Sequence, residues 1–259
     1  MGDEAGIPCF FVDPAEVEAD QARLLGAEAH HCAVVRRLGP GRRVLLLDGH
    51  SRRYVAEIVT AQAATVTLRL LAVVEESAPA GAALVLGIAL LKGDAMDLVV
   101  EKLTELGVDE IVPLLTEHCE NRGTRGAQQL ARWQRVVIAA CKQCGRVRPP
   151  VVHAPLGLRD FFVLPLVRRA ASRLVCQERH SAPACGPWRQ EAPQAGNAVM
   201  VLGPEGGLSP AELAAAQAAG FVPISLGPRV LRAETAAIVA ASLGQLLLGR
   251  LDPTPGAGQ

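Results

Sequence analysis

Leu202-Gly203-Pro204-Glu205-Gly206-Gly207-Leu208 and, further on, Leu226-Gly227-Pro228-Arg229-Val230-Leu231-Arg232-Ala233-Glu234-Thr235-Ala236 share one layout. Each follows an apolar run that reads as a buried strand, Ala198 to Leu202 in one case and Phe221 to Leu226 in the other. Each opens into a helix. A strand-loop-helix joint with glycine in the loop is where an α/β protein lets its backbone approach a ligand. Two such joints close together in sequence predict two walls of one pocket.

Working outward, strands and helices alternate from Ala82 onward, the pattern of an α/β sheet. Leu84 to Leu90 reads as a strand. Asp94 is placed to cap a helix running to Leu106, with Gly107 ending it. Glu110 to Leu115 and Arg173 to Cys176 read as further strands. Gln128 to Gln143 reads as a helix, with Trp133, Val136, Val137, Ala140 and Cys144 spaced for one face. Residues 177–197 lack periodicity and read as a loop. Ser209-Pro210-Ala211-Glu212 has the form of a capping box, which gives Glu212 a structural task rather than a chemical one. The last helix, Ala233 to Gly249, is apolar almost all round and must be buried, centrally or against a second copy of the chain.

Before residue 76 the pattern differs. Short β-rich runs recur at Cys9 to Val12, Val44 to Leu47, Tyr54 to Val59 and Thr65 to Leu71, with one short helix at Glu28 to Leu38. The spacing predicts a small barrel over residues 1–76, a linker at 77–81, a second domain over 82–252 and a tail at 253–259.

At 259 residues, half of them apolar, the chain has material for two cores. No apolar window is long enough for a membrane span, and the N-terminus does not read as a secretory signal. Seven scattered cysteines suit reduced thiols in a cytoplasm better than a disulfide framework. Cys141 and Cys144 form a C-x-x-C without a second ligand pair, so no metal site is expected. The formal net charge is zero, yet the charges are clustered. Arg36, Arg37, Arg42, Arg43, Arg52 and Arg53 stand against Asp48. From Asn121 to Pro150, Arg122, Arg125, Arg132, Arg135, Lys142, Arg146 and Arg148 stand against no acid at all. Such clustering is the footprint of a phosphate-binding face, here with Arg36, Arg37, Arg42, Arg43, Arg122, Lys142 and Arg146 as candidate RNA contacts.

The two joints are accompanied by Leu90-Leu91-Lys92-Gly93-Asp94, Glu101-Lys102, Glu105-Leu106-Gly107-Val108, Ile111-Val112-Pro113 and Gln143-Cys144-Gly145-Arg146. Together they resemble, over nearly the whole chain, the RsmE family of 16S ribosomal RNA (uridine N3) methyltransferases of the SPOUT superfamily. The resemblance implies an N-terminal PUA-like β-barrel and a SPOUT α/β domain with a deep trefoil knot. It also implies a homodimer and S-adenosylmethionine (AdoMet) as methyl donor. The chain departs from the usual family pattern at Cys9, His118 and Lys142.

On that resemblance Leu202, Gly203, Pro204, Glu205, Gly206 and Gly207 grip the cofactor through backbone, and Leu226, Gly227, Val230, Leu231 and Thr235 form its floor and apolar walls. No Gly-x-Gly-x-x-Gly is present, and Glu205 would repel a pyrophosphate, so a dinucleotide is disfavoured. Arg232 and Glu234 are the catalytic candidates. Arg232 would stabilise charge developing on the uridine or a flanking phosphate; Glu234 would take the N3 proton, or hold Arg232 by a charge-assisted bond. Alternatives are an RNA-binding or assembly protein with reduced catalysis, or a SPOUT methyltransferase acting at another RNA position.

Overall fold

A computed structural model describes residues 6–75, 82–119, 126–177 and 196–251. The expected linker, most of the 177–197 loop, the tail and Arg122 therefore lie outside the described residues. The chain divides into two compact units. One comprises Met1–Ala80 with Cys141–Pro149, the other Gly81–Ala140 with Pro150–Gln259. The grouping of Cys141–Pro149 with the N-terminal unit has no local signature, because the helix over Gly126–Cys144 runs through residue 141 without a break.

In the first unit, β1 (Cys9–Phe11), β2 (Val17–Glu18), β3 (Gln21–Leu25), β4 (Arg43–Leu47), β5 (Arg52–Ala61) and β6 (Thr65–Glu75) form one sheet in the order β1-β4-β5-β6-β3-β2. All pairings are antiparallel except β1 with β4. Alternation sets the core face: Ala22 and Leu24 on β3, and Tyr54, Ala56 and Ile58 on β5, are buried while their neighbours are not. They pack with Phe10, Leu46, Val66 and Leu68. Strands β2 and β3 were not legible in sequence, because Glu18, Gln21 and Arg23 interrupt the apolar signal. The predicted helix at Glu28 is α1 (Gly26–His30), continuing through one π-helical turn at His31–Val35. Between β4 and β5, burial would raise the Asp48 carboxyl pKa. The amides of His50, Ser51 and Arg52, at 2.8, 2.9 and 2.9 Å, more than offset this and leave it below its ordinary value.

The second unit is a parallel sheet. Its strands are β7 (Leu84–Ala89), β8 (Glu110–Leu115), β9 (Val151–Val152), β10 (Leu156–Gly157), β11 (Ser172–Cys176), β12 (Ala198–Leu202) and β13 (Val222–Ile224). The order is β10-β8-β7-β12-β11-β13, with β9 also on β8. Every residue of β7 and β12 is buried, as expected of central parallel strands covered on both faces. The helices are α2 (Ala95–Glu105), α3 (Gly126–Cys144), α4 (Leu158–Val163), α5 (Pro165–Arg168), α6 (Pro210–Ala218) and α7 (Ala233–Leu247). Gly244 of α7 lies so close to Leu84 and Met200 that a β-carbon there would stand 2.6 Å from a Leu84 methyl. Small residues on this face of α7 (Ala237, Ala240, Ala241, Gly244) are what let it lie down on the sheet.

Two expectations need correction. Asp94 precedes α2 but makes no side-chain cap; its carboxylate accepts from Arg132 instead, at 2.6 Å. On α3 the buried residues are Trp133, Val137, Ala140 and Cys141, while Cys144 is exposed, so the buried stripe ends at Cys141 rather than at Cys144. Among the described residues no helix is long and apolar enough to cross a membrane.

Candidate active site

Strands β11, β12 and β13 are adjacent and parallel, so their carboxyl ends open on the same edge of the sheet. Beyond that edge lies a cavity of about 360 Å³. Open parallel sheets bind ligands in this position. Both glycine joints line it. The first supplies Leu202, Gly203, Pro204, Glu205, Gly206, Gly207 and Leu208; the second supplies Ser225, Leu226, Gly227, Arg229, Val230 and Leu231. Cys176 and Gln177, at the end of the strand between them, complete the wall, with Leu213, Ala233 and Ala236.

The glycines carry the shape. A β-carbon on Gly203 would stand 2.9 Å from the Gly207 carbonyl carbon and from the Leu208 nitrogen, so only glycine lets the loop fold back on itself. Gly227 has φ +128, a conformation other residues resist. Beyond the first loop the capping box forms as its sequence predicts. Ser209 Oγ accepts from the Glu212 amide at 3.3 Å, and Glu212 Oε2 accepts from the Ser209 amide at 2.9 Å. The sequence did not reveal the third bond: Glu212 Oε1 accepts from the Glu117 amide at 2.8 Å.

Arg232 is the N-cap residue of α7, in extended conformation, with an exposed side chain and no ion pair among the described residues. Glu234, half-buried in the first turn of α7, likewise has no partner among the described residues, so the two are not bonded to one another. Neither lines the cavity, although Leu231 and Ala233 beside them do. Thr235, expected at the ligand, is exposed and outside the lining; on that helix Ala233 and Ala236, three apart, face the cavity instead. Arg229, Ser225, Cys176 and Gln177 line it without having been singled out. Arg229 was visible inside its motif, but the other three are brought there only by the sheet order.

The basic segments separate sharply. Arg36, Arg37, Arg42 and Arg43 are exposed, and none has an ion pair among the described residues. The acid-free run is different. Arg132 pairs with Asp94 and Asp97, and Lys142, mostly buried, pairs with Glu28. Lys142, expected as a phosphate contact, has its ammonium in an internal ion pair whose acid lies far away in sequence. Arg148 Nε donates to the His50 carbonyl, and Arg146 is half-buried at the turn that ends α3. Burial pushes the Cys141 thiol up to about 12 and, at Cys9, up to about 11, which keeps both protonated. Among the described residues no group of three or more metal-binding side chains is assembled.

A glycine-walled cavity at the carboxyl edge of a parallel sheet, in a chain that begins with a small β domain, defines a small-ligand-binding α/β enzyme fold with an appended β module. Residues 78–245 match the family model of an RNA methyltransferase domain, and residues 24–71 match an RNA methyltransferase PUA domain. The chain belongs to the ribosomal RNA small subunit methyltransferase E family. It is 36% identical to the member from Mycobacterium bovis over 94% of this chain and 93% of that one. It is 34% identical to the member from Synechocystis over 92% and 77%. Among solved structures, the member from Neisseria gonorrhoeae bound to S-adenosyl methionine is 30% identical, with TM-score 0.80, covering 93% of this chain and 98% of that one. A Legionella pneumophila protein in complex with the bound cofactor SAM is also 30% identical, with TM-score 0.81 and coverage of 93% and 97%.

Proposed function

We propose that this chain transfers a methyl group from AdoMet to N3 of a uridine in 16S ribosomal RNA. The observation that carries the reading is the single cavity built jointly by both glycine joints. It has the backbone-rich wall, apolar floor and size suited to a nucleoside-bearing ligand. Leu202 to Gly207 and Leu226, Gly227, Val230 and Leu231 would hold AdoMet, which supplies an electrophilic methyl on sulfonium.

The protein's own task is to position the uridine and manage one proton. N3 must lose its proton as it forms the new N–C bond, and negative charge develops over the uracil ring. Arg232, exposed and without a partner among the described residues, is the cation to meet that charge or to fix a flanking phosphate. Glu234 is the carboxylate within two residues of it that could accept the proton. The base must leave its stack to reach the methyl group. Arg36, Arg37, Arg42 and Arg43 supply the phosphate contacts, with Arg146 as a further candidate.

The reading extends to a knotted SPOUT domain, a cytoplasmic site of action and a homodimer. The dimer is supported by Leu98 on α2 and Leu246 on α7, large apolar side chains left 43% and 44% exposed on two helices that pack together.

Mass spectrometry of 16S rRNA from a deletion strain tests the reaction. Loss of N3-methyluridine, restored by the wild-type gene, is expected; an unchanged level would overturn the assignment. The RNA face is tested by salt dependence. The Arg36→Ala/Arg37→Ala double variant should lower the slope of log K against log salt by about one to two. Lys142→Ala should leave it nearly unchanged.

A further inference from the structure

The four residues after β8, Thr116-Glu117-His118-Cys119, have no role in the reading above. Their ends are anchored. Thr116 and Cys119 are buried and their Oγ1 and Sγ lie 3.1 Å apart, with the Cys119 thiol also near the carbonyls of Leu90 and Leu114. Of the two exposed residues between them, Glu117 reaches the cap of α6 and His118 reaches the first glycine joint. Glu117 donates its amide to Glu212, as described, and His118 Nδ1 lies 3.0 Å from the Gly206 carbonyl oxygen and 3.1 Å from that of Gly207.

Both partners of Nδ1 are carbonyl oxygens, which only accept. Nδ1 therefore carries a proton and makes a bifurcated bond, whatever the state of Nε2. Nε2 has no hydrogen bond among the described residues. The imidazole also lies against Gly206 itself: a β-carbon there would stand 3.2 Å from His118 Cβ and 3.5 Å from Cγ. His118 does not line the cavity, whereas Gly206, Gly207 and Leu208 do. It grips the loop from a side that is not cavity wall.

In a planar trans peptide the carbonyl of one residue and the amide of the next point in opposite directions. Holding the Gly206 and Gly207 carbonyls therefore sets the directions of the Gly207 and Leu208 amides. The Gly207 amide is used within the loop, donating to the Pro204 carbonyl at 2.9 Å. The Leu208 amide has no partner among the described residues and belongs to a residue of the cavity wall. Without such a tether, Gly207 leaves the Gly207–Leu208 peptide plane free to rotate.

We infer that His118 is a positioning residue for the cofactor: its Nδ1–H locks the Gly206 and Gly207 carbonyls and so pre-orients the Leu208 amide for a bound AdoMet. The inference rests on the reading of the cavity as the AdoMet site.

Three substitutions at one position test it, because the amide nitrogen of Asn occupies the place of Nδ1 and that of Gln the place of Nε2. Calorimetry with AdoMet should show His118→Ala binding about fivefold more weakly, the loss of one net hydrogen bond. His118→Asn should return to within about twofold of wild type, and His118→Gln should stay as weak as Ala. At saturating AdoMet, kcat should be unchanged in all three. Hydrogen exchange of the ligand-free protein gives a second readout: His118→Ala should speed exchange at Gly207 and Leu208, and His118→Asn should not. Wild-type affinity in His118→Ala would overturn the inference, as would rescue by Gln but not by Asn. Failure of the wild type to bind AdoMet, with exchange still following the Ala and Asn pattern, would overturn the cavity's ligand and leave the tether standing.

Discussion

The loop at Gly203–Leu208 is fastened on its far side by Glu212 through the cap of α6, and by His118 through two carbonyls. The loop at Leu226–Arg232 has far less. Ser225 Oγ bonds the amide and carbonyl of Gly227, and beyond it Arg229, Val230 and Arg232 are exposed, Val230 to 66%. Both joints are glycine turns on one cavity, but one is held and the other is open. A wall that must present fixed backbone donors to a small ligand benefits from pre-organisation. An edge that must admit a flipped base and its phosphates benefits from exposed, unpartnered charge. The pairing of a rigid side with an accessible side follows from which neighbours each loop meets.

The sharpest way to break the held joint is from inside. Gly203→Val forces a side chain into the Gly207 and Leu208 backbone, and AdoMet affinity should fall by about 3 kcal/mol, beyond a hundredfold, in calorimetry. Binding close to wild type would mean that the loop does not need its present closure. Next in size, on the open side, Arg232→Ala should lower kcat by about a hundredfold with AdoMet affinity within about twofold of wild type. If affinity and turnover fell together, the division of labour between the joints would be wrong. The mildest is a loosening of the outer fastening. Glu212→Gln retains one carbonyl acceptor for the two amides now held by the carboxylate. The melting temperature should drop by about 2–6 °C, corresponding to roughly 1–1.5 kcal/mol. It should also weaken AdoMet binding without changing kcat at saturation, whereas an unchanged melting curve would show that the bond to Glu117 carries no load.

Legibility in the sequence followed the range of the interactions. The capping box, the β12 joint and the apolar strands β7 and β12 were readable because their determinants lie within a few residues of one another. The cap on α2 fails to form for the complementary reason. Asp94 has the right residue type, but Arg132 lies 38 positions away and takes its carboxylate. The acid-free run misled in the same manner. Its cations have no acid near them in sequence, but Glu28 and Asp97 reach Lys142 and Arg132 in space. Arg36, Arg37, Arg42 and Arg43 stay exposed and pair with no acid among the described residues.

By itself, then, the sequence determined where backbone could approach a ligand, which strands had to be central, and that Glu212 belonged to a helix cap. These rest on local sterics, period and short-range hydrogen bonds. Tertiary structure decided that β11 lies between β12 and β13, so that Cys176 and Gln177 join the wall and both joints face one cavity. It also decided that His118 and, through Glu212, Glu117 fasten the first joint while Ser225 holds only Gly227 of the second, and that Lys142 is paired with Glu28 while Arg36 and Arg37 have no ion pair among the described residues. Those outcomes depend on strand order and on pairings across many residues, which fold topology sets and which no local pattern encodes.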